Sequence, residues 1–76
     1  MSEALKNLAT VESGHQVELV RVNSGHAMQS RLASMGLVPG TMFKVVRNDH
    51  RGPFIIGLKG ARVVLGRGMA DRIEVR

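Results

Sequence analysis

The residues able to do chemistry in this chain are few and poorly spaced for it. Histidine occurs at His15, His26 and His50. No two stand three or four residues apart, and none is followed by a carboxylate at metal-ligand spacing. Three turn-region histidines of this kind read as surface residues. The carboxylates Glu3, Glu12, Glu18, Asp49, Asp71 and Glu74 are spread along the chain, and no pair invites a general acid and general base assignment. Ser13, Ser24, Ser30 and Ser34 lack the context of a nucleophile elbow. Cysteine is absent, which removes disulfides, thiolate metal sites and a thiol nucleophile. Met28, Met35, Met42 and Met69 are soft thioethers, but they lack the close spacing of a copper(I) site. They fit better as flexible fillers of a small core or as an adaptable contact surface. Gly66-Arg67-Gly68 has the first look of a phosphate loop. The third glycine, the following helix and the lysine of such loops are missing, so a hairpin turn is expected there. No enzymatic activity, metal site or cofactor is expected.

Charge is the one strong compositional bias. Eleven Lys and Arg oppose six Asp and Glu, for a formal net charge of +5. Only Lys6 precedes Arg21. A basic surface attracts nucleic acid, anionic lipid or an acidic protein face. A solvated surface that keeps a small protein soluble explains the same charge equally well. Small barrels that bind single strands set aromatic platforms in a basic groove. Here the aromatics are Phe43 and Phe54 alone, both in apolar strand contexts that predict core positions. What remains for nucleic acid is salt-sensitive, non-specific phosphate attraction. A small basic β-barrel that binds nucleic acid in this way is the alternative functional reading.

Those residues must be positioned by a small fold. The 76 residues make one domain, 1–76. A chain of about this size buries only about 60% of its unfolded surface, so its stability margin is thin. An apolar content of 43% argues against disorder. No run approaches the roughly 18 apolar residues of a membrane helix, and MSEALKNL lacks the basic-then-apolar layout of a signal peptide. A cytoplasmic protein is expected.

Leu5, Leu8 and Val11 predict a first short element, followed by a turn at Ser13-Gly14. QVELVRV, residues 16–22, reads as a strand with Val17 and Leu19 on one face and Glu18 on the other. Val20 and Val22 break the strict alternation. TMFKVVR (41–47), PFIIGLK (53–59), ARVVL (61–65) and DRIEVR (71–76) read as further strands. Phe54, Ile56 and Leu58 share one face; Ala61, Val63 and Leu65 are expected inward; Ile73 and Val75 likewise. Residues 48–52 form a polar loop, and Lys59-Gly60 makes a tight hairpin turn. Glycine stands at most junctions. Five strands and one short helix predict a mainly β fold, a small β-barrel whose closure removes exposed edges.

The helix is the exception among the strands. Met28, Leu32 and Met35 fall at i, i+4 and i+7 and so share a face. Asn23 or Ser24 can supply the N-cap oxygen. Gly36 sits where the helix needs a residue at positive φ. Leu37 occupies the position that packs back on the last turn. Pro39 cannot continue a helix, and Pro39-Gly40 suits the two centres of a type II turn. Leu37 as an inward pin and Leu37 as an outward contact are both compatible with this spacing.

Taken together, LKNLATVESGHQVELVRV, MQSRLASMGLVPGTMFKVV and GPFIIGLKGARVVLGRGMADRIEVR resemble the FeoA family over about Leu5 to Val75. The most specific piece is Arg31-Leu32 ahead of Met35-Gly36-Leu37, with Pro39-Gly40 behind. Arg67-Gly68 departs from the pattern and bears on the shape of the last turn. The resemblance implies an SH3-like barrel that works by protein–protein contact in bacterial ferrous iron uptake. The implied partner is FeoB, a membrane ferrous transporter with a cytoplasmic GTP-hydrolysing domain, which would bring the protein to the inner face of the membrane. The contact is expected at the helix and its exit, on Met28, Arg31, Met35 and Leu37. One substitution checks the local reading. Gly36→Val is expected to destabilise the fold by about 1–2 kcal/mol or more, because a β-branched residue fits positive φ poorly. Its melting temperature measures this.

Overall fold

A computed structural model describes residues 4–49 and 51–76. Strand β1 (Lys6–Asn7) leads into a 3-10 turn (Leu8–Thr10), then β2 (Gln16–Val22) and helix α1 (His26–Ser34). Strands β3 (Met42–Arg47), β4 (Phe54–Leu58) and β5 (Ala61–Leu65) follow, then one helical turn, α2 (Arg67–Ala70), and β6 (Ile73–Val75). All strand pairs are antiparallel, in the order β1-β6-β2-β3-β4-β5. The fold is mainly β, as expected, with six strands rather than five. Among the described residues β1 and β5 do not pair, so hydrogen bonds do not close the sheet into a ring.

Strand β2 belongs to both halves of the sheet. Its first residues pair with β3, Val17 opposite Phe43, and its last pair with β6, Val22 opposite Ile73. Between Leu19 and Arg21 the register with β6 shifts by one residue. Val20 is the extra residue of a β-bulge, which bends a strand and raises its twist. That bulge is the reason the alternation breaks at Val20. A second bulge at Val46 lies between Val45 and Arg47 in the pairing of β3 with β4.

The inner faces meet in one core. Leu19, Leu32, Val45, Phe54, Ile56, Ile73 and Val75 are fully buried, with Leu8, Leu37 and Leu65 beside them. Phe54, Ile56 and Leu58 point inward as their spacing predicts. In β5 only Leu65 is buried; Ala61 is exposed at the strand's start. Leu5 is exposed, and of the three expected apolar residues Leu8 and Val11 are the ones buried in the core.

Two local expectations need correction. The N-cap of α1 is Gly25, with no side-chain cap bond, rather than Asn23 or Ser24. The Asn23 N–H is bonded to the Arg72 carbonyl of the β6 approach, which holds the chain outside the helix at that point. Gln29 Nε2 donates to the Ser24 carbonyl at 2.9 Å, which ties the first turns of the helix to the chain before it but leaves the helix N–H groups uncapped. The expected hairpin turn at Gly66-Arg67-Gly68 is a helical turn, closed by the Ala70 N–H donating to the Gly66 carbonyl at 3.0 Å. Arg67 lies over the Phe54 ring, 5.9 Å from its centroid, which gives that departure from the family pattern a packing role.

The loop after β3 is not uniformly polar surface. Asn48 is buried. Its Nδ2 donates to the carbonyls of Ala9 at 2.9 Å and Val11 at 2.8 Å, and its own N–H donates to Ser13 Oγ at 2.8 Å. One side chain therefore ties the end of β3 to the N-terminal segment across more than thirty residues. Next to it, Asp49 accepts from Arg47 Nε at 2.8 Å and from the Gly52 N–H at 2.9 Å. Those bonds, Arg47 first, hold its carboxyl below the usual aspartate range. His50 lies outside the described residues. Asn48→Ala leaves two carbonyls without their donor and is expected to lower unfolding stability by about 1–3 kcal/mol. Chemical denaturation measures it.

Candidate functional site

The end of α1 is a Schellman motif. The Leu37 N–H donates to the Leu32 carbonyl and the Gly36 N–H to the Ala33 carbonyl, both at 2.9 Å. Gly36 has φ +92°, the left-handed conformation that glycine adopts without a Cβ clash. Leu37, at 1% exposure, packs back into the core beside Leu32. The Thr41 N–H then donates to the Val38 carbonyl at 3.0 Å, with Gly40 at φ +95°, as a type II turn centred on Pro39-Gly40 requires. This turn is stitched to the bend of β2. The Gly40 N–H donates to the Leu19 carbonyl at 2.8 Å, and the Leu19 N–H to the Thr41 carbonyl at 2.9 Å.

The structure divides the four expected contact residues. Leu37 is buried, and Met28 is half-buried against the core. Arg31 is exposed, and Met35 is 37% exposed at the helix end. At about 100° per residue, Met28 and Met35 lie on one flank of Leu32, while His26, Gln29, Ser30 and Ala33 lie on the other. That second flank borders a groove of about 260 Å³, closed opposite by Val22, Val38 and Pro39, with Leu37 among its lining residues. Leu37 is therefore corrected from a candidate surface contact to a core pin, because the Schellman geometry turns its side chain inward. Val38, 43% exposed, takes the outward position that Leu37 does not. Its signal in the sequence was only its place between the pin and the turn.

Reactive geometry is sparse here. Ser30 Oγ stands 3.4 Å from His26 Nε2, one helical turn apart and exposed, longer than a nucleophile–base hydrogen bond. Among the described residues no three His, Asp or Glu side chains converge on a metal position. Phe43 and Phe54 are both buried, so neither offers a ring for base stacking. Among the described residues no helix is long and apolar enough to cross a membrane.

The sequence profile of the FeoA domain matches residues 6–76. The chain belongs to the FeoA family. A protein of Methanocaldococcus jannaschii named for Fe(2+) transport, as transport protein A, is 40% identical over 68 residues, which cover 90% of this chain and 82% of that one. The crystal structure of an iron uptake regulatory protein, FeoA, superposes with a TM-score of 0.88 at 34% identity, covering 96% of this chain and 97% of the other. The solution structure of FeoA from Chlorobium tepidum gives 0.83 at 29% identity, covering 93% and 69%. The FeoA fold thus accounts for the SH3-like arrangement around β2. Within this FeoA domain the helix exit separates core from surface in adjacent residues. Leu37→Ala is expected to lower stability by about 2–5 kcal/mol. Val38→Asp, at the exposed neighbour, is expected to stay within about 0.5 kcal/mol of the native protein. Thermal unfolding of the two variants side by side reads the contrast.

Proposed function

We propose that this FeoA protein is a non-catalytic cytoplasmic accessory of ferrous iron uptake, acting by contact with a FeoB-type membrane transporter. The observation that carries the reading is the 40% identity to a protein named for Fe(2+) transport over 90% of this chain. The surface is consistent with it. Arg31 and Met35 are exposed at the end of the helix, and Val38 is exposed just past its stop, so apolar side chains stand near an arginine on either side of the exit, residue types common at interfaces. Met28 is half-buried against the core. The net charge of +5 favours an acidic face of the transporter or the anionic inner leaflet beside it. Binding to the transporter's cytoplasmic GTP-hydrolysing domain tests the reading. The double variant Met35→Asp with Val38→Asp is expected to weaken binding at least tenfold, about 1.4 kcal/mol, with its melting temperature nearly unchanged. No binding by the native protein would overturn the function; unchanged affinity of the variant would overturn the placement of the contact.

A further inference from the structure

Among the described residues strand β5 is the last strand of the sheet, with β4 as its one neighbour. Among the described residues no backbone group of β5 bonds anything beyond β4. The hairpin that presents it closes through two residues, Lys59 at φ +52° and Gly60 at φ +81°, a type I′ turn. In such a hairpin the flanking pair, Leu58 and Ala61, exchanges both ladder bonds. By alternation Val63 and Leu65 also bond β4, while the N–H and C=O groups of Arg62 and Val64 point away from the sheet. Edge strands are usually blunted by proline, by a bulge or by charge. Neither proline nor a bulge interrupts this one, and its pairing with β4 is continuous from Ala61 to Leu65.

The side chains on that strand have a definite character. Arg62 and Val64 stand on the outer face, both exposed, Val64 at 65%. Arg62 is opposite Gly57, which is opposite Lys44, so two cations flank a position without a side chain. Ile55, paired with Val64, and Val46, whose Cγ2 lies 3.2 Å from where a Gly57 Cβ would be, continue the apolar surface.

We propose that the β5 edge is a docking site for an extended, acidic segment of another protein, added as a seventh strand. The proposal is independent of the helix contact above. An added antiparallel strand pairs directly with Arg62 and Val64 through both backbone bonds, with Cα atoms about 5.5 Å apart. Its outward residues alternate with period two, so recognition takes the form apolar, any residue, acidic: the apolar side chain on Val64, the carboxylate on Arg62. A second copy of this chain fits poorly, because it brings another Arg62 and another net +5 to the same edge.

A fluorescein-labelled, end-blocked peptide of repeating Val-Thr-Glu-Thr tests this by anisotropy against the full chain. The expected result is saturable binding, weakened by salt and absent for the same peptide with lysine replacing glutamate. Arg62→Glu is expected to weaken the acidic peptide at least tenfold and to reverse the preference toward the lysine peptide. Val64→Pro removes an outward N–H without touching the β4 ladder and is expected to abolish binding. In hydrogen exchange, the peptide should slow the Arg62 and Val64 amides and leave those of Val63 and Leu65 unchanged. Arg62→Glu alters only an exposed side chain, so it decides the matter even where the proline variant unfolds. No binding, equal binding of both peptides, or a dimer in sedimentation that Val64→Pro dissolves would each overturn the proposal.

Discussion

The fold depends on one meeting point, where the exit of the helix is hydrogen-bonded to the bend of β2. Leu19 is fully buried, and both its backbone groups are taken by Gly40 and Thr41 of the exit turn. The bulge beside it lets a single strand serve β3 on one side and β6 on the other. In a chain this short, such shared elements replace the second layer that a larger domain would provide. The helix is consequently part of the fold's core rather than an appendage to the sheet. Its Schellman stop drives Leu37 inward, and the turn that follows returns the chain to the strand bend.

That arrangement bears on the proposed contact. A contact surface works best when ordering it requires little entropy on binding. Here the exposed Met35 and Val38 are each one or two residues from backbone groups locked by hydrogen bonds. The adjacent groove is lined by residues from α1, β2 and the exit turn, so its walls are held by the same bonds. Around the helix exit the described surface carries the exposed apolar side chains Met35 and Val38 near the basic Arg31.

Much of this was legible in the residues because the signals were local. Gly36, Pro39 and Gly40 carry backbone requirements that few other residues meet, and the structure uses each as its type predicts. Phe54, Ile56 and Leu58 alternate, and a strand period allows only one reading of them. What escaped was non-local. Strand β1 is two residues long and exists only because β6 arrives from the far end of the chain. Asn48 looked like any loop asparagine, since its partners Ala9, Val11 and Ser13 are distant in sequence. The helical turn Arg67–Ala70 contains a glycine that weakens a helix, and tertiary packing overrides it by burying Ala70 and setting Arg67 over Phe54. Leu37 was ambiguous because spacing alone does not say which side of a turn faces the core.

The central claim is that the helix end, presented by its glycine stop, is the surface through which this FeoA protein meets the transporter. The most direct measurement is a backbone amide chemical-shift titration of the labelled protein with the transporter's cytoplasmic domain. The account predicts that the perturbed amides cluster on Arg31, Met35 and Val38, with those of β4 and β5 unmoved. Perturbations confined to the sheet, or none at saturating partner, would contradict it.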